Sequence, residues 1–280
     1  MSELNRNPAN RTTNALLELR TAIRPQRPGK ASAIGSFVWR AWKRTMSMIG
    51  YLAIDVVIFP VIFLLIFTYL FGGAISGSSD EYLRFLLPGM LIYTVTTMTI
   101  YIGISIKTDL DRGVFNRFRT LPFWQPAAII GNVVVNVATY AAAIVTTLLM
   151  GMLLGFRPDA GAAGAVLGIV FAVFYAFSIS WIFACIGIVA KKTESINGMS
   201  YIVLYPLLFT SNVFVDTDTM PDWLGGIVAY NPISLASTAA RGIMHGTASD
   251  GDLYRAIGFL AACMAVFMTL AFRLYRNKAK

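Results

Sequence analysis

The apolar residues of this chain gather into long runs separated by short polar segments. Six such runs, nearly free of charge, cover residues 50–71, 85–106, 127–155, 162–190, 199–215 and 254–272. A helix needs about 20 apolar residues to cross about 30 Å of hydrocarbon. The runs therefore predict an all-α polytopic membrane protein with six transmembrane helices. The fifth run is short for a crossing. The third and fourth are long enough to tilt or to extend past the bilayer.

Two weaker patterns complete the architecture. Upstream of the first run, residues 34–49 read IGSFVWRAWKRTMSMI. Ile34, Val38, Trp42, Thr45 and Ile49 recur at helical spacing, and Ser36, Arg40, Lys43 and Ser47 recur on another side. This is the pattern of an amphipathic helix with tryptophans suited to the headgroup zone. It serves either as an interfacial anchor or as a helix that also touches a cytoplasmic partner. Between the fifth and sixth runs, residues 222–229 and 232–244 are moderately apolar but too short to span. Pro221 and Pro232 open them, as proline suits a helix start. They predict an outer re-entrant helical hairpin, whose turn must be buried by protein or meet water.

Residues 1–33 are polar, rich in arginine and proline, and predict a flexible cytoplasmic tail. They lack the apolar centre of a cleavable signal. The expected organisation is thus a tail over 1–33, an amphipathic helix over 34–49 and a six-span domain over 50–280. That domain has an inner loop at 107–126 and an outer segment at 216–253.

Charge fixes the expected orientation. With both termini inside, the inner segments 1–49, 107–126, 191–198 and 273–280 hold 9, 4, 2 and 4 basic residues, 19 of the 23 in the chain. Basic residues concentrate on the cytoplasmic side of membrane proteins. Eight of the 14 acidic residues fall in the outer segments. The net charge of +9 is therefore a topology signal, with anionic lipid as its secondary partner, and gives little support to nucleic-acid binding. Only 13% of residues are charged, against about 25% in soluble domains.

Little in the sequence points to catalysis. There is no GxxxxGK[ST] loop to cradle nucleotide phosphates, no HExxH and no cysteine pair at ligand spacing. Cys185 and Cys263 each sit in an apolar run and are expected to be buried. The single histidine, His245, is expected at the surface. No catalytic and no metal site is assigned. Asp55 is the one carboxylate inside a run, only about 8 Å past the inner boundary. It either pairs with a basic residue of the amphipathic helix or water, or forms a polar contact on a substrate path. Thr94, Thr96, Thr97, Thr99 and Tyr101 on the second run, and Asn132, Asn136 and Thr139 on the third, either hydrogen-bond helices together or line a route.

Three stretches resemble ABC type-2 permeases. The first, KTDLDRGVFNRFRTLPFWQPAAIIGN at 107–132, is similar to that family's inner loop, with Asp111, Arg112, Gly113, Arg117, Arg119 and Pro122 filling its acidic-Arg, Gly, Arg and Pro places. The acidic place is often Glu in the family and is Asp here. The second, MPDWLGGIVAYNPISLASTAARGIMHG at 220–246, resembles its Pro-x-Trp-Leu, Asn-Pro and Ala-x-Arg-Gly signature through Pro221, Trp223, Asn231, Pro232 and Arg241. The third, FLLPGMLIY at 85–93, resembles the opening of the second span. The resemblance covers about 40–280 and is nearest to daunorubicin-resistance-like permeases of actinobacteria.

The resemblance implies the permease subunit of an ATP-driven exporter in a bacterial inner membrane. Two permeases, identical or related, would pair with two separate cytoplasmic ATPase subunits. ATP and Mg2+ would sit on those partners, with no cofactor in this chain. A short coupling helix at 108–118 would dock on the ATPase. Arg112, Arg117 and Arg119 would face its carboxylates, Phe115 and Phe118 would be apolar anchors, and Asp109 and Asp111 lie at the entry. Asp55, Thr97, Tyr101, Asn132 and Asn136 would border the path, with Phe209 and Phe214 as an outer gate. Sparse charge inside the runs suits an amphiphilic drug, lipid or lipid-linked glycan better than a small ion. The rival from another class is a carrier or channel working without ATP.

Overall fold

A computed structural model of the chain describes residues 29–47, 50, 53–111 and 127–278. Among them every regular element is helical. The order is α1 (Lys30–Ser47), α2 (Ile54–Ser76), α3 (Ser79–Met98), α4 (Ile100–Asp111), α5 (Ala127–Leu153), α6 (Gly161–Val189), α7 (Glu194–Phe209), α8 (Asp222–Ala229), α9 (Pro232–His245) and α10 (Asp250–Lys278). Among the described residues, five stretches are long and apolar enough to cross a membrane: α2, the α3–α4 column, α5 from Ile130, α6 and α10 to Asn277. The helix expected at 199–215 starts earlier and stops at Phe209. Its 16 residues rise only about 24 Å.

The α3–α4 column is the centre. Of its most apolar window, 78% is buried, against 22% for α2 and 17% for α10. Leu86, Leu87, Met90, Leu91, Ile92 and Val95 are fully buried. α5, α6 and α9 pack around α3, and α6 also supports α4, α9 and α10. α6 is apolar on all sides, as a helix enclosed by protein and lipid must be. It meets α4 at close range, because a Cβ on Gly103 would lie 2.7 Å from the carbonyl oxygen of Phe183. Cys185 and Cys263 are both buried and free.

Local chemistry sets the element ends. Gly77 closes α2 with a φ of 75°, a conformation that favours glycine. Ser78 then caps α3 by accepting the Glu81 N–H at 3.2 Å, with Asp80 and Glu81 in the positive first turn. The π-helical turns of α2, Ile54–Ile58 and Ile66–Phe71, flank the segment that begins Phe59–Pro60. Proline lacks an N–H, so the ladder is interrupted where the first wide turn ends.

α1 begins at Lys30, inside the segment expected as tail, and turns a different face inward than the spacing over 34–49 suggested. Ala41 is buried, Phe37 touches α5 at Gly131, and Trp39 and Trp42 are exposed. Arg40 and Arg44 turn toward the bundle, although Arg40 was expected on the polar side with Lys43. The two short helices fall where the prolines placed them, with α9 ending one residue later at His245.

Candidate functional site

Alternating helices give the bundle two ends. At the α1 end the polar side chains of three elements converge. Asp109, at the close of α4, is buried and takes Arg44 Nη1 at 2.8 Å and Arg40 Nη2 at 3.2 Å from α1. Its other oxygen accepts Asn132 Nδ2 of α5 at 2.9 Å. Asn132 Oδ1 accepts Arg44 Nη2 and the Ser105 hydroxyl, each at 2.9 Å, and Arg44 also donates to Ser105. A small polar cleft lies between Phe37, Arg40, Ala41, Arg44, Asp109 and Asn132. A carboxylate this buried is tolerated because two guanidinium groups and an amide satisfy its oxygens.

Two residues past Asp109 the cluster continues to α7. Asp111 pairs with Lys107 at 2.6 Å and accepts the Thr193 hydroxyl at 3.0 Å. The chain then enters the loop expected to couple to a partner. Arg112, Gly113, Phe115, Arg117, Phe118, Arg119 and Pro122 lie outside the described residues. What the structure does place is the frame of that loop: α4 and α5 are tied to each other and to α1 at its two mouths.

Of the other path candidates, Asp55 lies in the first wide turn of α2 and accepts a hydrogen bond from the Tyr101 hydroxyl of α4. The α1 arginines that were one expected partner are engaged by Asp109 instead. Thr97 donates to the Thr94 carbonyl within α3, and Asn136 to the Asn132 carbonyl within α5, both at 2.8 Å. Thr96 reaches across to the Tyr175 hydroxyl of α6 at 2.8 Å. Phe209 is exposed at the end of α7. Phe214 closes an aromatic group, 4.5 Å from Phe67 and 5.4 Å from Tyr93.

At the opposite end Arg241 is the hub. Its Nε donates to the Phe85 carbonyl at 2.9 Å, and Nη2 to the carbonyls of Asn212 at 2.7 Å and Val213 at 3.1 Å. The guanidinium carbon sits 3.7 Å over the Phe85 ring. Desolvation lowers its pKa to about 10, opposed by the Asp216 carboxylate and Tyr82, so the group stays charged at neutral pH. Gly89 makes room, since a Cβ there would lie 3.0 Å from both Arg241 Nη2 and the Val213 oxygen. Two separate motifs thus meet in space: FLLPG supplies carbonyl, ring and gap, and the Ala-x-Arg-Gly stretch supplies the cation.

Asn231 performs a related task. Its Oδ1 caps α9 through the Ile233 N–H at 2.8 Å, while Nδ2 donates to the Leu207 carbonyl at 2.8 Å and the Thr210 carbonyl at 2.9 Å. Pro232 follows as the first helical residue. Pro221 precedes α8, and Trp223 on it is exposed. His245, expected as a surface residue, has Nδ1 at 2.7 Å from Asp159 and Nε2 at 3.1 Å from the Arg84 carbonyl. A histidine in the last turn of a helix whose C-cap is glycine was the signal for that position, but its partners lie far away in sequence.

The sequence model of the ABC-2 type transporter family matches residues 32–245. The chain belongs to that family and is the membrane-spanning permease subunit of an ABC exporter, whose ATPase is a separate subunit. It is 47% identical over 270 residues, 95% of both chains, to the daunorubicin resistance ABC transporter permease protein DrrB1 of Streptomyces coeruleorubidus. It is 24% identical over 229 residues to the probable doxorubicin resistance ABC transporter permease protein DrrC of Mycobacterium tuberculosis, covering 78% of this chain and 82% of that one. A putative transport permease, ycf38, of Cyanophora paradoxa is 24% identical over 190 residues, 62% of this chain and 61% of that one.

Proposed function

We propose that this permease exports an amphiphilic substrate, a drug in the first instance and a lipid or lipid-linked glycan otherwise, across a bacterial inner membrane. Two relatives are named for daunorubicin and doxorubicin resistance, and the long spans offer almost no charge to a small ion. α7, extended by residues 210–215, serves as a sixth crossing. α8 and α9 form the outer re-entrant hairpin, held at its root by Asn231 and Arg241. The arginine bias then puts both termini in the cytoplasm. Two permeases, identical or related, assemble with two copies of the ATPase.

Energy enters through the loop 107–126. The observation that carries this reading is the Arg40–Arg44–Asp109–Asn132 cluster, which binds α1, α4 and α5 together where that loop begins and ends. Movement of the loop on ATP binding is delivered to three elements as one unit. Arg112 and Phe115 contact the ATPase directly, through charge and apolar anchoring. Co-purification with the ATPase subunit tests it: the wild type retains the partner, and the double variant R112A/F115A loses it by about tenfold or more. Equal retention by that variant would remove the coupling role from the loop.

A further inference from the structure

Where the loop 107–126 leaves α4, a second connection lies beside it. Residues 190–193 join the end of α6 to the start of α7. The turn is tightly bonded. The Ala190 N–H donates to the Ile186 carbonyl at 2.9 Å, Ser195 N–H to Lys192 at 3.2 Å and Ile196 N–H to Thr193 at 3.1 Å. Further along α4, Gly103 packs on the Phe183 carbonyl of α6 and on Ile196 of α7. Gly103, Lys107 and Asp111 follow at four-residue spacing. One stripe of α4 therefore runs along α6 to this turn.

Three residues here depart from what their own helices favour. Asp111 closes α4, where a carboxylate opposes the helix dipole, and that last turn holds no basic residue. Lys107 precedes Asp111 by four residues, the weaker order for an ion pair along a helix. It is also buried, at 6% exposure, as lysine rarely is. Thr193 stands at the N-cap position of α7, yet its side chain makes no capping bond and its φ and ψ are helical, −60° and −37°. One set of contacts accounts for all three. Lys107 Nζ lies 2.6 Å from one Asp111 oxygen, and the Thr193 hydroxyl donates to the other at 3.0 Å. A hydroxyl that would ordinarily start a helix is turned instead to a carboxylate 82 positions away.

We propose that Asp111 staples the start of the loop 107–126 to the α6–α7 turn, with Lys107 and Thr193 as positioning residues, so that the two connections move as one body. A charge-assisted bond between two short, well-bonded segments transmits a displacement that free loops would absorb. ATP-driven motion of the loop then reaches α6 and α7, beyond the α1, α4 and α5 group that Asp109 fastens. This rests on the reading of that loop as the place where energy enters. It assigns Asp111 an intramolecular task, distinct from the contact with the ATPase given to Arg112 and Phe115.

Hydrogen exchange of the complete permease–ATPase complex in nanodiscs, with and without Mg2+ and the non-hydrolysable analogue AMP-PNP, tests the staple. In the wild type the analogue changes exchange in 107–126 and in 190–197 together, each by about threefold or more. In T193V the first change stays and the second falls to background. T193S keeps the hydroxyl and behaves as the wild type. ATP-driven accumulation of a fluorescent amphiphile falls about tenfold in T193V and stays at the wild-type level in T193S. Charge exchange gives an independent arm. K107D and D111K each lower accumulation, and K107D/D111K recovers most of it, because the pair and its bond to Thr193 are rebuilt. A response of 190–197 that persists in T193V overturns the proposal, as does a wild type in which only 107–126 responds or a double variant no better than the singles. Those results leave the loop as the point of energy entry. A wild type in which neither segment responds rejects that reading of the loop and the staple with it.

Discussion

The Nε2 atom of His245 lies 3.1 Å from the main-chain oxygen of Arg84. That oxygen is the acceptor Pro88 leaves unpaired in α3, because proline has no N–H to donate one turn back. A side chain of α9 thus replaces a missing helix bond in α3 and ties the two together. H245A should destabilise the protein by about 1 kcal/mol through this contact. P88A restores a local N–H, so it should offset part of that loss. A double-mutant cycle of thermal unfolding in detergent should show coupling of about 1 kcal/mol. Strictly additive effects would mean that His245 does not serve the Arg84 carbonyl.

Arg241 makes a second prediction. Its three carbonyl contacts span α3, the segment after α7 and α9. R241A leaves those oxygens short of a charged donor and should cost about 2–4 kcal/mol. R241K keeps the charge but not the fork, and should recover less than half of that. G89A should mimic a milder R241A, since the new methyl presses on the guanidinium and the Val213 oxygen. Tryptophan-monitored melting of the purified chain checks all three. An R241K melt equal to wild type would contradict the assigned fork geometry.

Much of this architecture is legible in the sequence. Pro221 and Pro232 mark the starts of two short helices, and Gly246 with a φ of 70° marks the end of the second. Long apolar runs give the spans because membrane length is a one-dimensional constraint. The face of α1 was less legible. Arg40 reads as a polar-side residue until Asp109, 69 positions away, is brought beside it. Asp55 was ambiguous for the same reason, as its tyrosine partner is 46 residues distant. The meeting of Arg241 with Phe85 spans 156 residues. Periodicity reports which side of a helix is apolar, and it does not report which distant group will neutralise a charge. The length of α7 also escaped the pattern, because apolar residues continue past Phe209 where the backbone is no longer helical.

Asp109 supplies a third prediction. D109A leaves Arg44 facing a polar cleft without its carboxylate, and breaking a pair this buried should cost about 3–5 kcal/mol. D109N retains the shape and one acceptor and should cost less. The distinctive readout is hydrogen exchange: protection of α1 should fall by tenfold or more in D109N, while α9 at the opposite end stays unchanged. A uniform loss across the chain would show that Asp109 stabilises the bundle globally and does not specifically fasten α1.

The central claim is that this chain moves its substrate with energy from a separate ATPase. The direct measurement is accumulation of a fluorescent amphiphile in inverted vesicles that hold the permease and its ATPase subunit. Accumulation should require both subunits and hydrolysable ATP, and R112A/F115A should lower it by about tenfold or more. Accumulation by the permease alone on an ion gradient, with no dependence on ATP, would contradict the account.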